Sequence, residues 1–284
     1  VNEFTDFDFL IGLTAIRDVK YREMFVAERP PHRYRVVDSG IFEDPQNPPT
    51  NRKLLDIATT LDADEVIPTD FLNDMERTIH GMETFLEMSD DFPFAIQGVV
   101  QGKSLREWLY CFQWMEENPR VDVIGVSYCE IPHDMRGVLT DFGIGDESET
   151  ARLALINLLS GGLGVSADLS LTGDARFEFI HRGPLKKPIH LLGLRSPKAI
   201  PHYRIHPLIR SIDTSFAVQL GVEGRPLHMG SVKPHFKMNF GGELVRAERA
   251  LIANNVCRFL ELCRGVENSM SWESLDRLSS LKEA

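Results

Sequence analysis

Two carboxylates stand at the ends of apolar, strand-like runs far apart in this chain: Asp38 in Val36-Val37-Asp38-Ser39-Gly40-Ile41-Phe42, and Asp213 in Ile212-Asp213-Thr214-Ser215. Acids at two strand ends suggest a catalytic pair doing acid–base or nucleophilic work. Asp, Ser and Gly are also ordinary turn residues, so either segment alone reads as plain structure and the chemical reading rests on the combination. Asp70 closes a third acid-ending run, Val66-Ile67-Pro68-Thr69-Asp70, and equally suits the cap of a helix beginning near Asn73. Gln97 and Gln101, four positions apart in an extended segment, share one strand face.

The elements that must carry these side chains recur in βα alternation. Apolar runs at 7–12, 35–40, 65–69, 92–100, 121–127 and 189–194 read as strands, with helix-sized intervals at 13–28, 51–62, 73–89 and 103–118. Leu105, Leu109, Phe112 and Met115 make one helical stripe, read as core packing. Residues 211–217 supply a seventh strand, and the eighth is assigned either to 216–221 or to an altered N-terminal element. The expected fold class is α/β, a (β/α)8 TIM barrel in a single domain over 1–284, with an insertion at 129–188 and a C-terminal helical extension at 243–284. Barrel chemistry gathers at the C-terminal ends of strands, where this register puts Asp38, Asp70, Gln101 and Asp213. The insertion holds a helix from Glu149 to Leu159 and glycines at 161, 162 and 164. It reads either as a substrate lid or as a family insertion with a small hairpin around Thr172-Gly173-Asp174. No Gly-Lys-Ser/Thr follows the glycines, so they are not a phosphate loop.

The chain has 284 residues and a formal net charge of -11, which argues against a surface coated uniformly with phosphate-binding side chains. Its cations are segregated: residues 179–237 hold ten Lys and Arg against two acids, leaving 21 basic and 40 acidic residues elsewhere. A basic strip around Asp213 suits a polyanionic substrate, or a complementary surface in a homo-oligomer. Cys111, Cys129, Cys257 and Cys263 form no short-spaced cluster, so free thiols in a reducing compartment are expected. The first residues lack a signal-peptide pattern and no run approaches membrane-spanning length, so the expectation is a soluble cytoplasmic protein with no membrane partner. His202, His206, His228 and His235 match no metal-binding spacing, and no metal is expected.

Taken in order, these segments resemble the queuine/archaeosine tRNA-guanine transglycosylase superfamily, particularly its divergent phage and bacterial relatives that insert 7-deazaguanines into DNA. The resemblance covers most of 34–220. It is carried by Val37-Asp38-Ser39-Gly40-Ile41-Phe42, Val66-Ile67-Pro68-Thr69-Asp70, Gly98-Val99-Val100-Gln101-Gly102 with Leu105-Arg106-Glu107, Ile124-Gly125-Val126, His190-Leu191-Leu192-Gly193-Leu194, and Ser211-Ile212-Asp213. The resemblance implies that Asp213 attacks the anomeric carbon of the sugar and that Asp38 handles protons on the departing and incoming bases. It implies that Asp70 binds the N1 and exocyclic-amine edge of a guanine-like base, that Gln101 reads its carbonyl, and that backbone near Gly125 and Val126 completes the pocket. Gln97 is the substitute for Gln101 if the match slips, while Ser39, in the Asp38 turn, and Phe42, bordering the purine, are further expected base-binding residues. The chemistry is self-consistent: breaking an N-glycosidic bond develops positive charge on the sugar and negative charge on the base, which one ionised and one protonated carboxylate would meet.

The sequence also departs from that family. The tRNA enzymes' Cys-x-Cys-x2-Cys plus His zinc site has no counterpart, because Cys257 and Cys263 stand alone; Ile41 replaces the second glycine after Ser-Gly; and the Pro-Thr-Arg context after the nucleophile is missing. These departures move the expected polymer from tRNA to DNA. Within the acid-free segment 225–237, Arg225, His228, Lys233, His235 and Lys237, together with Arg210, are the expected nucleic-acid contacts, and Phe236 the support for an exposed base. No cofactor is required. The expected partners are DNA, a guanine or 7-deazaguanine base, and a further copy or modification-complex subunit, in the host cytoplasm if the chain is phage-encoded. The alternatives are a tRNA-guanine transglycosylase, a catalytically inactive nucleic-acid-binding or assembly subunit, and an unrelated barrel hydrolase.

Overall fold

The computed structural model describes residues 7–27, 29, 33–90, 92–129, 131, 142–160, 185–231 and 245–265. The expected hairpin near Thr172, the glycines at 161–164, the helix expected at 272–281 and Lys233, His235, Phe236 and Lys237 lie outside the described residues. Within them the chain runs β1 (Phe7–Ile11), α1 (Gly12–Arg17), α2 (Val19–Ala27), β2 (Tyr34–Asp38), α3 (Asn51–Thr60), β3 (Glu65–Ile67), α4 (Met75–Met88), β4 (Ala95–Val99), α5 (Leu105–Glu117), β5 (Val123–Ser127), α6 (Glu147–Leu159), β6 (Ile189–Leu192), α7 (Ile200–Arg204), β7 (Ile209–Asp213), α8 (Phe216–Val222) and α9 (Arg246–Arg264).

The strands pair in sequence order and all in parallel, giving one seven-stranded, nearly closed, barrel-like sheet. Its curl is evident in contacts between strands distant in that order. The Phe9 ring of β1 stacks on His190 of β6, with centroids 5.7 Å apart. Arg210 of β7 reaches Glu65 of β3 through two hydrogen bonds of 2.8 and 3.0 Å. No β7–β1 pair occurs among the described residues. Residues 216–221, one of the places expected for an eighth strand, are helix α8 instead. Short apolar runs are ambiguous between strand and helix. Here Phe216, Ala217 and Leu220 are buried at helical spacing, and α9 packs on α8.

Period-two alternation divides the strand side chains between two cores. Leu10, Val37, Val66, Ile96, Val100, Ile124, Val126, Ile189 and Leu191 join the main core with the helices. Val36, Ile67 and Val99 form a separate cluster with Phe7, Phe9 and Leu192. Each fully buried aliphatic or aromatic side chain contributes about 1.5–3 kcal/mol. Helices α3, α4 and α5 begin at side-chain caps: Thr50 accepts from Lys53 N, Asp74 from Arg77 N and Ser104 from Glu107 N. The cap of α4 is therefore Asp74, which releases Asp70 from that structural duty. No described helix is long and apolar enough to cross a membrane.

Candidate active site

The carboxylates converge at the C-terminal ends of the strands. Asp38 is the last residue of β2, and Gly40 N–H donates to its Oδ2 at 3.1 Å. That turn needs glycine, since Gly40 has φ +79 and a Cβ there would lie 2.8 Å from Ile11 and Leu13 side-chain atoms. The Asp38 carboxyl is pushed well above the usual carboxylate range, first by loss of hydration, then by the charges of Asp70 and Glu43, with Asp213 adding to them and the Gly40 N–H opposing. The protonated form of Asp38 is thus favoured, and the charges that favour it include both other expected site acids.

Asp213 ends β7 under different control. Its Oδ1 lies 3.2 Å from His190 Nε2 and accepts from Gly193 N–H at 3.2 Å, while Oδ2 has no hydrogen-bond donor among the described residues. The Gly193 amide reaches it because Gly193 has φ +73. A Cβ at Gly193 would fall 2.5 Å from the Tyr128 ring, so this turn also excludes a side chain. A one-residue bulge aims β7: Ile189 pairs with Ile209 but His190 pairs with Ser211, making Arg210 the extra residue. Leu192 then faces Asp213 in register.

The remaining expected base-binding residues are distributed as follows. Asp70 is buried beyond β3, and its Oδ2 accepts from Gln101 Nε2 at 2.5 Å. Gln101 Oε1 accepts from Asn73 N–H at 2.9 Å, which fixes the direction of the amide and leaves one Nε2 proton beyond the bond to Asp70. Gln97 is wholly buried with both amide atoms unpartnered, its Nε2 leaning against Gly125, where a Cβ would come within 2.8 Å. Gly125 O accepts from Val100 N, and Val126 O from Arg152 Nη1 at 3.3 Å, so both carbonyls are already engaged; the Val126 side chain lies in the main core. Ser39 is buried with its hydroxyl unpartnered, and Phe42 is 56% exposed.

Among the expected nucleic-acid contacts, Arg210 pairs with fully buried Glu65 while its own side chain stays 32% exposed. Arg225 is half-exposed and pairs with Glu223 at 2.8 Å, an exchangeable surface contact. The His228 ring accepts from Gly230 N–H at 3.1 Å in an exposed turn. Buried Asn255 of α9 pins this stretch, donating to the carbonyls of Ala217 and Arg225 and accepting from Leu227 N–H. Elsewhere in the strip Arg195 pairs with Asp146. A cavity of about 630 Å³ opens between β1 and β7, lined by Phe7, Phe9, Phe25, Ser211 and Asp213 among others; Asp38, Asp70 and Gln101 do not line it.

Three supporting residues escaped the sequence reading. His190 interrupts the apolar run Ile189–Leu192, and that lone polar residue in a buried strand was the available signal. Arg152 and Glu149 of α6 are both fully buried and paired at 2.7 Å. Arg152 also donates to the carbonyls of Val126, Leu192 and Gly193, while Glu149 accepts from Arg195 N–H and Tyr203 OH. The helix of the insertion therefore clamps the ends of β5 and β6, including the turn whose amide holds Asp213. No group of three or more metal-ligating side chains occurs among the described residues. No family model and no curated protein matches this chain.

Proposed function

We propose that this protein is a base-exchange transglycosylase that replaces guanine in DNA with a preQ0-like 7-deazaguanine, acting in the cytoplasm. In this reading the sheet is a (β/α)8 barrel whose eighth strand belongs in the gap between β7 and β1. The observation that carries the reading is the electrostatic convergence of Asp38, Asp70 and Asp213. Burial, followed by the charges of Asp70, Glu43 and Asp213, favours the protonated form of Asp38, and Asp213, held through a single oxygen, keeps Oδ2 for attack.

The proposed reaction has two displacements. Asp213 Oδ2 attacks C1′ as the C1′–N9 bond breaks, and the bonding pair leaves with guanine, which takes the Asp38 proton. The incoming 7-deazaguanine then gives its N9 proton to the Asp38 carboxylate as N9 attacks C1′. The aspartyl ester breaks and Asp213 departs as the carboxylate. Two inversions retain the sugar configuration, and the proton on Asp38 is restored. Asp70 and the remaining Gln101 Nε2 proton are the groups proposed to read the purine edge. A duplex target must first leave the stack, at a cost of a few kcal/mol.

The test is exchange itself: purified protein, guanine-containing DNA or tRNA, and candidate 7-deazaguanines, followed by digestion and mass analysis of the nucleosides. DNA is expected to gain the modified base with wild type and not with Asp213→Asn. Modification of tRNA alone would transfer the same chemistry to the other polymer. No exchange in either polymer, or normal exchange by Asp213→Asn, would overturn the proposal.

A further inference from the structure

Asp213 stands at the end of a continuous polar chain crossing the inside of the sheet. Tyr34 OH donates to Glu65 Oε2 at 2.9 Å, and the Arg210 guanidinium bridges both Glu65 oxygens. Arg210 Nε donates to Ser211 Oγ at 3.3 Å. Ser211 Oγ lies 2.7 Å from His190 Nδ1, and His190 Nε2 lies 3.2 Å from Asp213 Oδ1. The His190 side chain is 1% exposed, with the Phe9 ring stacked against it, so neither bulk water nor a free rotamer is available to it.

The chemistry of its two ends gives this chain a direction. Arginine can only donate and an ionised carboxylate can only accept. Ser211 Oγ therefore accepts from Arg210, and at the other end the Asp213 carboxylate can only accept, so the facing His190 Nε2 carries a proton. In the neutral ring Nδ1 is then bare and accepts the Ser211 hydroxyl proton. The charged groups along this line are Glu65 and Arg210 at one end and Asp213 at the other. The bulge that makes Arg210 an extra residue in β7 is what sets Ser211 opposite His190.

We infer that His190 is a positioning residue for the nucleophile: fixed in its Nε2–H tautomer between the Ser211 hydroxyl and the Asp213 carboxylate, it holds Asp213 Oδ1 so that Oδ2 faces the sugar. This rests on the transglycosylase reading for its catalytic consequence, but not for the tautomer. The Gly193 amide supplies the second donor from the other strand end, so Asp213 is held at one oxygen by two groups of different origin.

The tautomer is read directly in protein labelled with ¹⁵N-histidine, at mildly alkaline pH, with the His190 signals assigned by their loss in His190→Phe. Protonated Nε2 with bare Nδ1 is expected in wild type, and a mixture in Ser211→Ala; any other wild-type pattern overturns the relay. In the exchange assay, His190→Phe keeps the stacking surface but removes the donor. It is expected to lower kcat about 10²-fold, with KM for the polymer within about threefold and with about tenfold of the rate recovered in His190→Gln, whose amide can donate from the position of Nε2. A kcat within about twofold of wild type in His190→Phe would end the positioning role while leaving the transglycosylase reading intact. Absence of exchange by wild type would end that reading, and the tautomer would still decide the relay.

Discussion

A carboxyl group that keeps its proton inside a folded protein weakens the fold as pH rises, and Asp38 offers a direct measure of this. Its folded proton affinity is raised above that of the unfolded chain, near the ordinary value of about 3.9. Between the unfolded and folded values the native state binds the extra proton, so stability declines with increasing pH across that window and the penalty is complete above it. Asp38→Asn removes the titration while an amide oxygen can still accept from Gly40 N–H. Thermal melts are expected to show the variant several degrees more stable than wild type at neutral pH, with the gain disappearing in acid below the unfolded value. An equal gain at every pH would assign the effect to packing. The same substitution is expected to stop proton transfer to the departing base, pairing greater stability with lost exchange, as at other strained functional positions.

At the scale of elements, the turn after β6 and the helix α6 hold the site through backbone groups. Gly193→Ala forces a left-handed conformation on alanine and drives its methyl toward Tyr128, so a loss of about 2 kcal/mol or more is expected in denaturant titrations. Misdirection of the amide that holds Asp213 is expected to lower kcat by about 10²-fold in the exchange assay. Arg152→Met leaves Glu149 buried without its cation and releases the carbonyls of Val126, Leu192 and Gly193. Removal of one partner from such a pair is expected to cost about 3–5 kcal/mol, seen as a lower denaturation midpoint. Ordinary stability in Arg152→Met would remove α6 from the support of the site.

The elements were unevenly legible in the sequence. The runs at Val36-Val37, Ile96–Val100 and Ile189–Leu191 announced buried parallel strands because both faces of the sheet are covered and, Gln97 and His190 apart, the chain stays apolar. Helix α8 was not distinguishable from a strand, because seven apolar-rich residues satisfy either period and only the packing of α9 decides between them. Asp38, Asp70 and Asp213 could be named from strand ends, whereas the pairing of His190 with Ser211 depends on a bulge in β7, which leaves no mark on the residue types. The pairing of the partly exposed Arg210 with Glu65, a partner 145 positions away, was hidden for the same reason.

Across the whole molecule, an acidic chain with a basic strip becomes a curled parallel sheet in which, among the described residues, three of the strip's ten cations form ion pairs with the protein's own acids: Arg210 with Glu65, Arg195 with Asp146 and Arg225 with Glu223. A polymer would have to displace the Arg195 and Arg225 pairs, which are individually weak, whereas the Arg210 cation, itself partly exposed, is held by a fully buried carboxylate. The central claim is that Asp213 becomes covalently joined to a sugar, and peptide mapping of protein quenched in acid during exchange tests it most directly. The account predicts a deoxyribose-linked adduct on the peptide containing Asp213, absent in Asp213→Asn and accumulating when the incoming base is withheld. An adduct on another residue, or base exchange with no adduct on Asp213 at any time, would contradict it.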